Sequence, residues 1–166
     1  MSPLQAEEIF ACLDRYAVRY VLIGGLAAVL QGSPLATFDA DICPARDSDN
    51  LRRLADALEE LEARIRTSDT AEGVSFSRDA SFLANVEVLN LVTRFGDLDL
   101  SFRPSGTDGF DDLGARSVAI LIQGFQVQVA ALEDVVRSPE AANRPKDQRT
   151  LPLLRQPLEE IRKRNP

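Results

Sequence analysis

Apolar positions along the chain recur with two different periods, and the change of period marks out the elements. Between residues 3 and 18, Ile9, Phe10, Leu13, Tyr16 and Ala17 form one stripe at helical spacing. Ser2 is a candidate cap for that helix, and Pro3 a candidate first residue. Tyr20–Ile23 is a short apolar run with strand character, ended by Gly24–Gly25. Residues 26–30 continue as a short helix that Gly32 and Pro34 stop. Residues 37–43 alternate as a strand does. Asp47, Ser48, Asp49 and Asn50 offer caps for a helix whose Leu51, Leu54, Ala55, Leu58, Leu61 and Ile65 follow the 3-4 spacing.

Residues 67–85 lack a clear period and predict a loop with one short helix. Strands follow at 86–93 and 98–102, joined around Phe95–Gly96. A turn-rich loop covers 104–109, and 109–114 makes a helical turn. Val118–Ile122 and Phe125–Val129 flank Gln123–Gly124, the pattern of a tight hairpin. From Ala131 the pattern is helical, interrupted by Pro139, Pro145, Pro152 and Pro157. Helices and strands in this order predict an α+β protein built around a mixed sheet. The expected organisation is one domain: a core over 1–130 and a C-terminal helical segment, 131–166, packed on it.

Composition narrows the chemistry. At 166 residues, 45% hydrophobic and 27% charged, the chain can bury a full core, and no apolar run is long enough to span a membrane. The start of the chain has no signal-peptide pattern. The net charge of −7 argues against non-specific nucleic-acid binding, because backbone phosphates repel such a surface. Only residues 131–166 are net positive, with eight basic and six acidic side chains. Histidine is absent, which removes Ser–His–Asp triads, Cys–His pairs and histidine-bound zinc. Two unpatterned cysteines, Cys12 and Cys43, suit packing in a reducing, cytoplasmic setting. Cys43 shares a strand face with the aspartates discussed next, so it is expected near them. The remaining chemistry rests on carboxylates, cations and backbone, and oxygen-preferring metals such as Mg²⁺ fit it.

Three segments carry candidate chemistry. Asp39 and Asp41 occupy alternate positions of one strand, so their carboxylates share a face roughly 6–7 Å apart. Asp97, Asp99 and Ser101 repeat that pattern on another strand. Aspartate is disfavoured in strands, and two carboxylates on one face repel unless a cation joins them. If the two strands are neighbours, three carboxylates converge at about 5 Å lateral spacing. The third segment is Gly24–Gly25, where a backbone without side chains lets an anion approach. Each segment alone is common, as a solvated strand face or a tight turn.

Together, Gly24–Gly25–Leu26–Ala27, Gln31–Gly32, Thr37–Phe38–Asp39–Ala40–Asp41 and Gly96–Asp97–Leu98–Asp99–Leu100 resemble the signature of minimal nucleotidyltransferases of the DNA polymerase-β superfamily. The segments Leu132 to Ser138 and Ala141 to Asp147 are similar to the tail of the AbiEii-like toxin branch. The resemblance implies a nucleotidyltransferase-like mixed sheet flanked by helices. It also implies transfer of an NMP from an NTP to a hydroxyl acceptor, with Mg²⁺ or Mn²⁺ held by Asp39, Asp41 and Asp99. Asp99 is preferred to Asp97 because it sits between Leu98 and Leu100. Gly24 and Gly25 would contact the triphosphate, Arg144 or Lys146 would neutralise it, and Asp147 would orient them. The implied acceptor is RNA, such as a tRNA 3′ end, and a toxin would have a cognate antitoxin. AMP transfer to a protein, or NTP or partner binding without catalysis, are the alternatives. Two departures stand out: many relatives carry Gly-Ser at Gly24–Gly25, and Pro139 follows Ser138 where the tail motif has lysine. Arg137 or Lys146 are candidate replacements for that lysine.

Overall fold

Seven strands join in one mixed sheet in the computed structural model, which describes residues 3–165. The first half of the chain supplies α1 (Ala6–Arg15), β1 (Tyr20–Ile23), α2 (Gly24–Val29), β2 (Asp39–Pro44), α3 (Ser48–Glu60) and β3 (Arg64–Ile65). The second half supplies α4 (Ala80–Leu83), β4 (Val88–Thr93), β5 (Gly96–Ser101), α5 (Phe110–Gly114), β6 (Val118–Ile122), β7 (Phe125–Val129), α6 (Leu132–Ala142) and α7 (Pro145–Arg164). The sheet order is β3-β4-β5-β2-β1-β7-β6. Two pairings, β2 with β5 and β1 with β7, are parallel, and the others are antiparallel.

The expected mixed sheet with flanking helices is therefore present. The hairpin at Gln123–Gly124 forms as expected. Both turn residues take positive φ (46° and 87°), the geometry that matches strand twist. Asp47 caps α3 by accepting from the Asn50 amide at 3.0 Å. Ile42, Leu98 and Leu100 are fully buried while Asp39, Asp41, Asp97 and Asp99 alternate with them. That alternation forces the carboxylates onto the opposite face of the central strands.

Four expectations need correction. The first helix starts at Ala6 with Gln5 as its cap, so Pro3 lies outside it; Ser2 is outside the described residues. The second begins at Gly24 rather than Leu26. The third ends at Glu60, because Glu62 turns into the left-handed region (φ 54°) and Ile65 pairs with Leu91 in the sheet. The prolines after Ala131 do not break the helices: Pro139 lies within α6, and Pro152 and Pro157 within α7. Only Pro145 marks a boundary, at the first position of α7. Pro157 has no N–H for the carbonyl of Leu153 one turn earlier. The Ser33 hydroxyl donates to that carbonyl instead, at 2.9 Å.

Candidate functional site

The β2–β5 register sets Asp39 beside Asp97 and Asp41 beside Asp99. Carboxylate oxygens of Asp39, Asp41 and Asp99 all lie within 4.8 Å of one another. Of the two aspartates on β5, it is thus Asp99 that joins the β2 pair. Asp41 is the most enclosed. Burial, then the charges of Asp39 and Asp99, push its carboxyl up to about 8. Burial also raises Asp99, to about 6, with the Arg66 guanidinium pulling it down and Asp39 pushing it up.

Such a cluster is unfavourable without a cation. Its donors are all hard oxygens at short separation, the set that Mg²⁺ or Mn²⁺ takes, so the residues present fit the implied metal. Arg66 supplies part of the compensating charge. Its guanidinium reaches Asp99 at 2.8 Å, Asp97 at 3.2 Å and the Leu91 carbonyl at 3.2 Å. Asp97 thereby anchors the arginine that steadies Asp99. Nothing in the sequence pattern points to Arg66, because 33 residues separate it from Asp99 and the stretch that follows it, 67–85, has no period.

The glycine turn closes the site from β1. Gly24 has φ 71°, and a Cβ there would lie 2.5 Å from Asp41 Oδ2. Only glycine leaves that carboxylate room. A Cβ on Gly25 would meet Leu35 at 3.0 Å and the Thr37 hydroxyl at 3.2 Å. A serine at 25 would therefore crowd Leu35 and Thr37, whose hydroxyl donates to the Asp39 carbonyl at 3.2 Å. The sequence motif includes Thr37 but gives it no role of its own.

Gly24, Gly25, Asp39, Asp41, Asp99, Arg144, Lys146 and Asp147 line one cleft of about 820 Å³ between the sheet and α6–α7. The structure separates the roles of the tail residues. Asp147 is buried and accepts from the backbone N–H, Nε and Nη2 of Arg144 at 3.0, 2.7 and 3.2 Å. Arg144 is thus the cation that Asp147 orients. Lys146 acts on Asp41 as a nearby positive charge. Arg137 is engaged elsewhere: it contacts Asp112 at 2.7 Å and the buried Asp134 at 3.4 Å, beside Arg116. Between the two candidates for the missing lysine, Lys146 is placed at the carboxylates and Arg137 is not. Cys43 is fully buried, its thiol against the Phe102 carbonyl, and does not line the cleft.

A mixed seven-stranded sheet flanked by helices is an architecture that solved nucleotidyltransferase structures also carry. Solved structures of that class are similar along nearly the whole chain. Lincomycin-bound LnuA, a lincosamide antibiotic adenylyltransferase, has a TM-score of 0.58 at 16% identity, covering 93% of this chain and 99% of its own. The antibiotic-resistance factor ANT(2'')-Ia gives 0.56 at 16% identity, over 92% of this chain and 81% of its own. The Thermotoga maritima protein TM1012, a candidate nucleotidyltransferase, gives 0.51 at 19% identity, over 96% and 97%. No protein-family model and no curated protein matches the chain. No helix among the described residues is long and apolar enough to cross a membrane.

Proposed function

We propose that the chain is a metal-dependent nucleotidyltransferase that moves an NMP from an NTP to a hydroxyl of an acceptor bound in the same cleft. The observation that carries this reading is the convergence of Asp39, Asp41 and Asp99 within 4.8 Å on adjacent strands. These three residues would hold Mg²⁺ or Mn²⁺, which when bound lowers the barrier by activating a hydroxyl and stabilising charge on the phosphates. Asp99, at the edge of the cluster and held by Arg66, accepts the proton of the attacking hydroxyl. The acceptor oxygen bonds to the α-phosphorus while the bond from that phosphorus to the bridging oxygen breaks, and pyrophosphate leaves. Gly24, Gly25 and the Thr37 hydroxyl face the triphosphate, and Lys146 with the Asp147-oriented Arg144 offsets its charge.

Charge favours a small acceptor. The chain carries −7, a net charge that repels a polyanionic acceptor more than a small neutral or cationic one. LnuA and ANT(2'')-Ia, which are antibiotic-directed proteins, offer a precedent for such an acceptor. A second reading, an RNA acceptor as in an AbiEii-like toxin with a cognate antitoxin in the cytoplasm, draws on the basic surplus of residues 131–166. Arg162, Lys163 and Arg164 stand exposed at the end of α7.

Pyrophosphate release tests both. Purified protein is incubated with each NTP, Mg²⁺ and either bulk tRNA or a panel of hydroxylated aminoglycosides and lincosamides. The Asp39→Asn, Asp41→Asn double variant serves as control. Release that needs the aspartates and a small acceptor supports the first reading, and release that needs tRNA supports the second. NTP binding without release under any condition would point to a binding module that lacks the chemistry, or to a protein as the acceptor.

A further inference from the structure

The chain has little aromatic surface, and one ring stands apart. Phe38 is 74% exposed and is the only aromatic among the exposed large hydrophobic side chains of the described residues. Ring contacts among these residues engage Phe10 with Tyr20, Phe76 with Phe82, and Phe95, Phe102 and Phe110 with arginines; Phe38 joins none of them. It immediately precedes Asp39 and lines the cleft that holds the three carboxylates. An aromatic left bare at that place loses apolar contact that a flat occupant of the cleft would restore.

The segment that carries the ring is anchored. The Ser33 hydroxyl donates to the Leu153 carbonyl of α7 at 2.9 Å and accepts from the Leu35 amide at 3.2 Å. The Thr37 hydroxyl donates to the Asp39 carbonyl, and Leu35 and Thr37 both pack over Gly25. Phe38 therefore belongs to the same wall as the glycine turn. A group bonded to phosphates at that turn is the one brought to this ring, and the flat group of a nucleoside triphosphate is its base.

We propose that Phe38 is the stacking platform for the base of the bound nucleoside triphosphate, an assignment that rests on the nucleotidyl-transfer reading above. Stacking uses the π-face that every base has, so all four NTPs bind, and the larger purines gain more from the ring.

Calorimetric titration of the full chain with Mn²⁺ tests this, using ATP, CTP and inorganic tripolyphosphate as ligands. Phe38→Ala is expected to weaken ATP about tenfold, within the range of a lost base–aromatic stack, and CTP less. Phe38→Tyr keeps the ring and should stay within about twofold of wild type. Tripolyphosphate has no base, so its affinity should be the same in all three proteins. Phe38→Ala that binds ATP as wild type does would overturn the proposal and return the ring to the acceptor. Equal losses of ATP and tripolyphosphate would overturn it too, by showing that the variant disturbs the glycine wall. Wild type that binds neither ligand would instead defeat the nucleotidyl-transfer reading, and the base platform with it.

Discussion

Asp41 holds the most consequential titration in the molecule. Its carboxyl is raised from the ordinary 3.8 to about 8 by burial and by Asp39 and Asp99. A carboxyl raised on folding binds its proton more tightly in the native state. Between about pH 4 and pH 8 the native state therefore holds more protons than the unfolded chain, and metal-free stability falls as pH rises through that window. Asp41→Asn removes the charge and keeps the shape. Metal-free Asp41→Asn should be more stable than wild type at pH 8 by about 1–3 kcal/mol, and the difference should shrink toward pH 4. Urea unfolding at both pH values measures it; equal stability at pH 8 would show that the cluster is not repulsive. Gly24→Ala acts on the same carboxylate by contact, since its Cβ would press on Asp41 Oδ2. It should weaken Mn²⁺ binding, read by titration, by at least tenfold, because strained φ and displaced ligand act together. The pairing of Asp39 with Asp41 was legible because a period of two carries its meaning in the sequence; that Asp99 joins them followed from the family pattern and from β2 lying beside β5, which the period alone leaves open. Arg66 was not legible, because its reach to Asp99 depends on β3 pairing with β4 beside β5; Thr37 stands in the motif, but its contact with Gly25 depends on how the 33–38 segment crosses the glycine turn.

At the scale of elements, local signals were readable wherever a single turn or cap decides the structure. The hairpin of β6 and β7 and the Asp47 cap of α3 are such cases. The C-terminal prolines are the opposite case. Pro152 and Pro157 read locally as breaks, yet α7 runs through both, because a side chain from a distant loop replaces one lost bond. Ser33→Ala should then cost about 1 kcal/mol and loosen the 33–38 segment that carries Thr37 and Phe38. In a Pro157→Ala background the helix recovers its own N–H donor, so the same substitution should cost measurably less. A double-mutant cycle in chemical denaturation checks this, and additive effects would sever the link between Ser33 and Pro157. Ile65 shows the same limit from the other side: it fits the helical spacing of α3, but Glu62 reverses the chain first.

For the whole molecule, a bound divalent metal would reverse the sign of the pH dependence. Three carboxylates that repel one another when bare would become ligands to a divalent cation under the proposed function, and a ligand must be deprotonated. Mn²⁺ with an NTP at 100 times its dissociation constant should stabilise the fold by roughly 2.7 kcal/mol through mass action. For a chain of this length that is a rise in Tm on the order of 5–10 °C. The rise should be largest at pH 8 and above, where Asp41 and Asp99 have lost their protons, and should fade toward pH 5, where the ion must displace them. Metal-free stability runs the other way over the same range, so the loaded and bare curves converge at acid pH and diverge at alkaline pH. Asp41→Asn should flatten both curves, being steadier without metal and indifferent to it. Thermal melts of the two proteins from pH 5 to pH 8.5, with and without Mn²⁺ and an NTP, give all four curves. Parallel curves for wild type would mean that the carboxylates do not hold the ion, whatever the fold resembles.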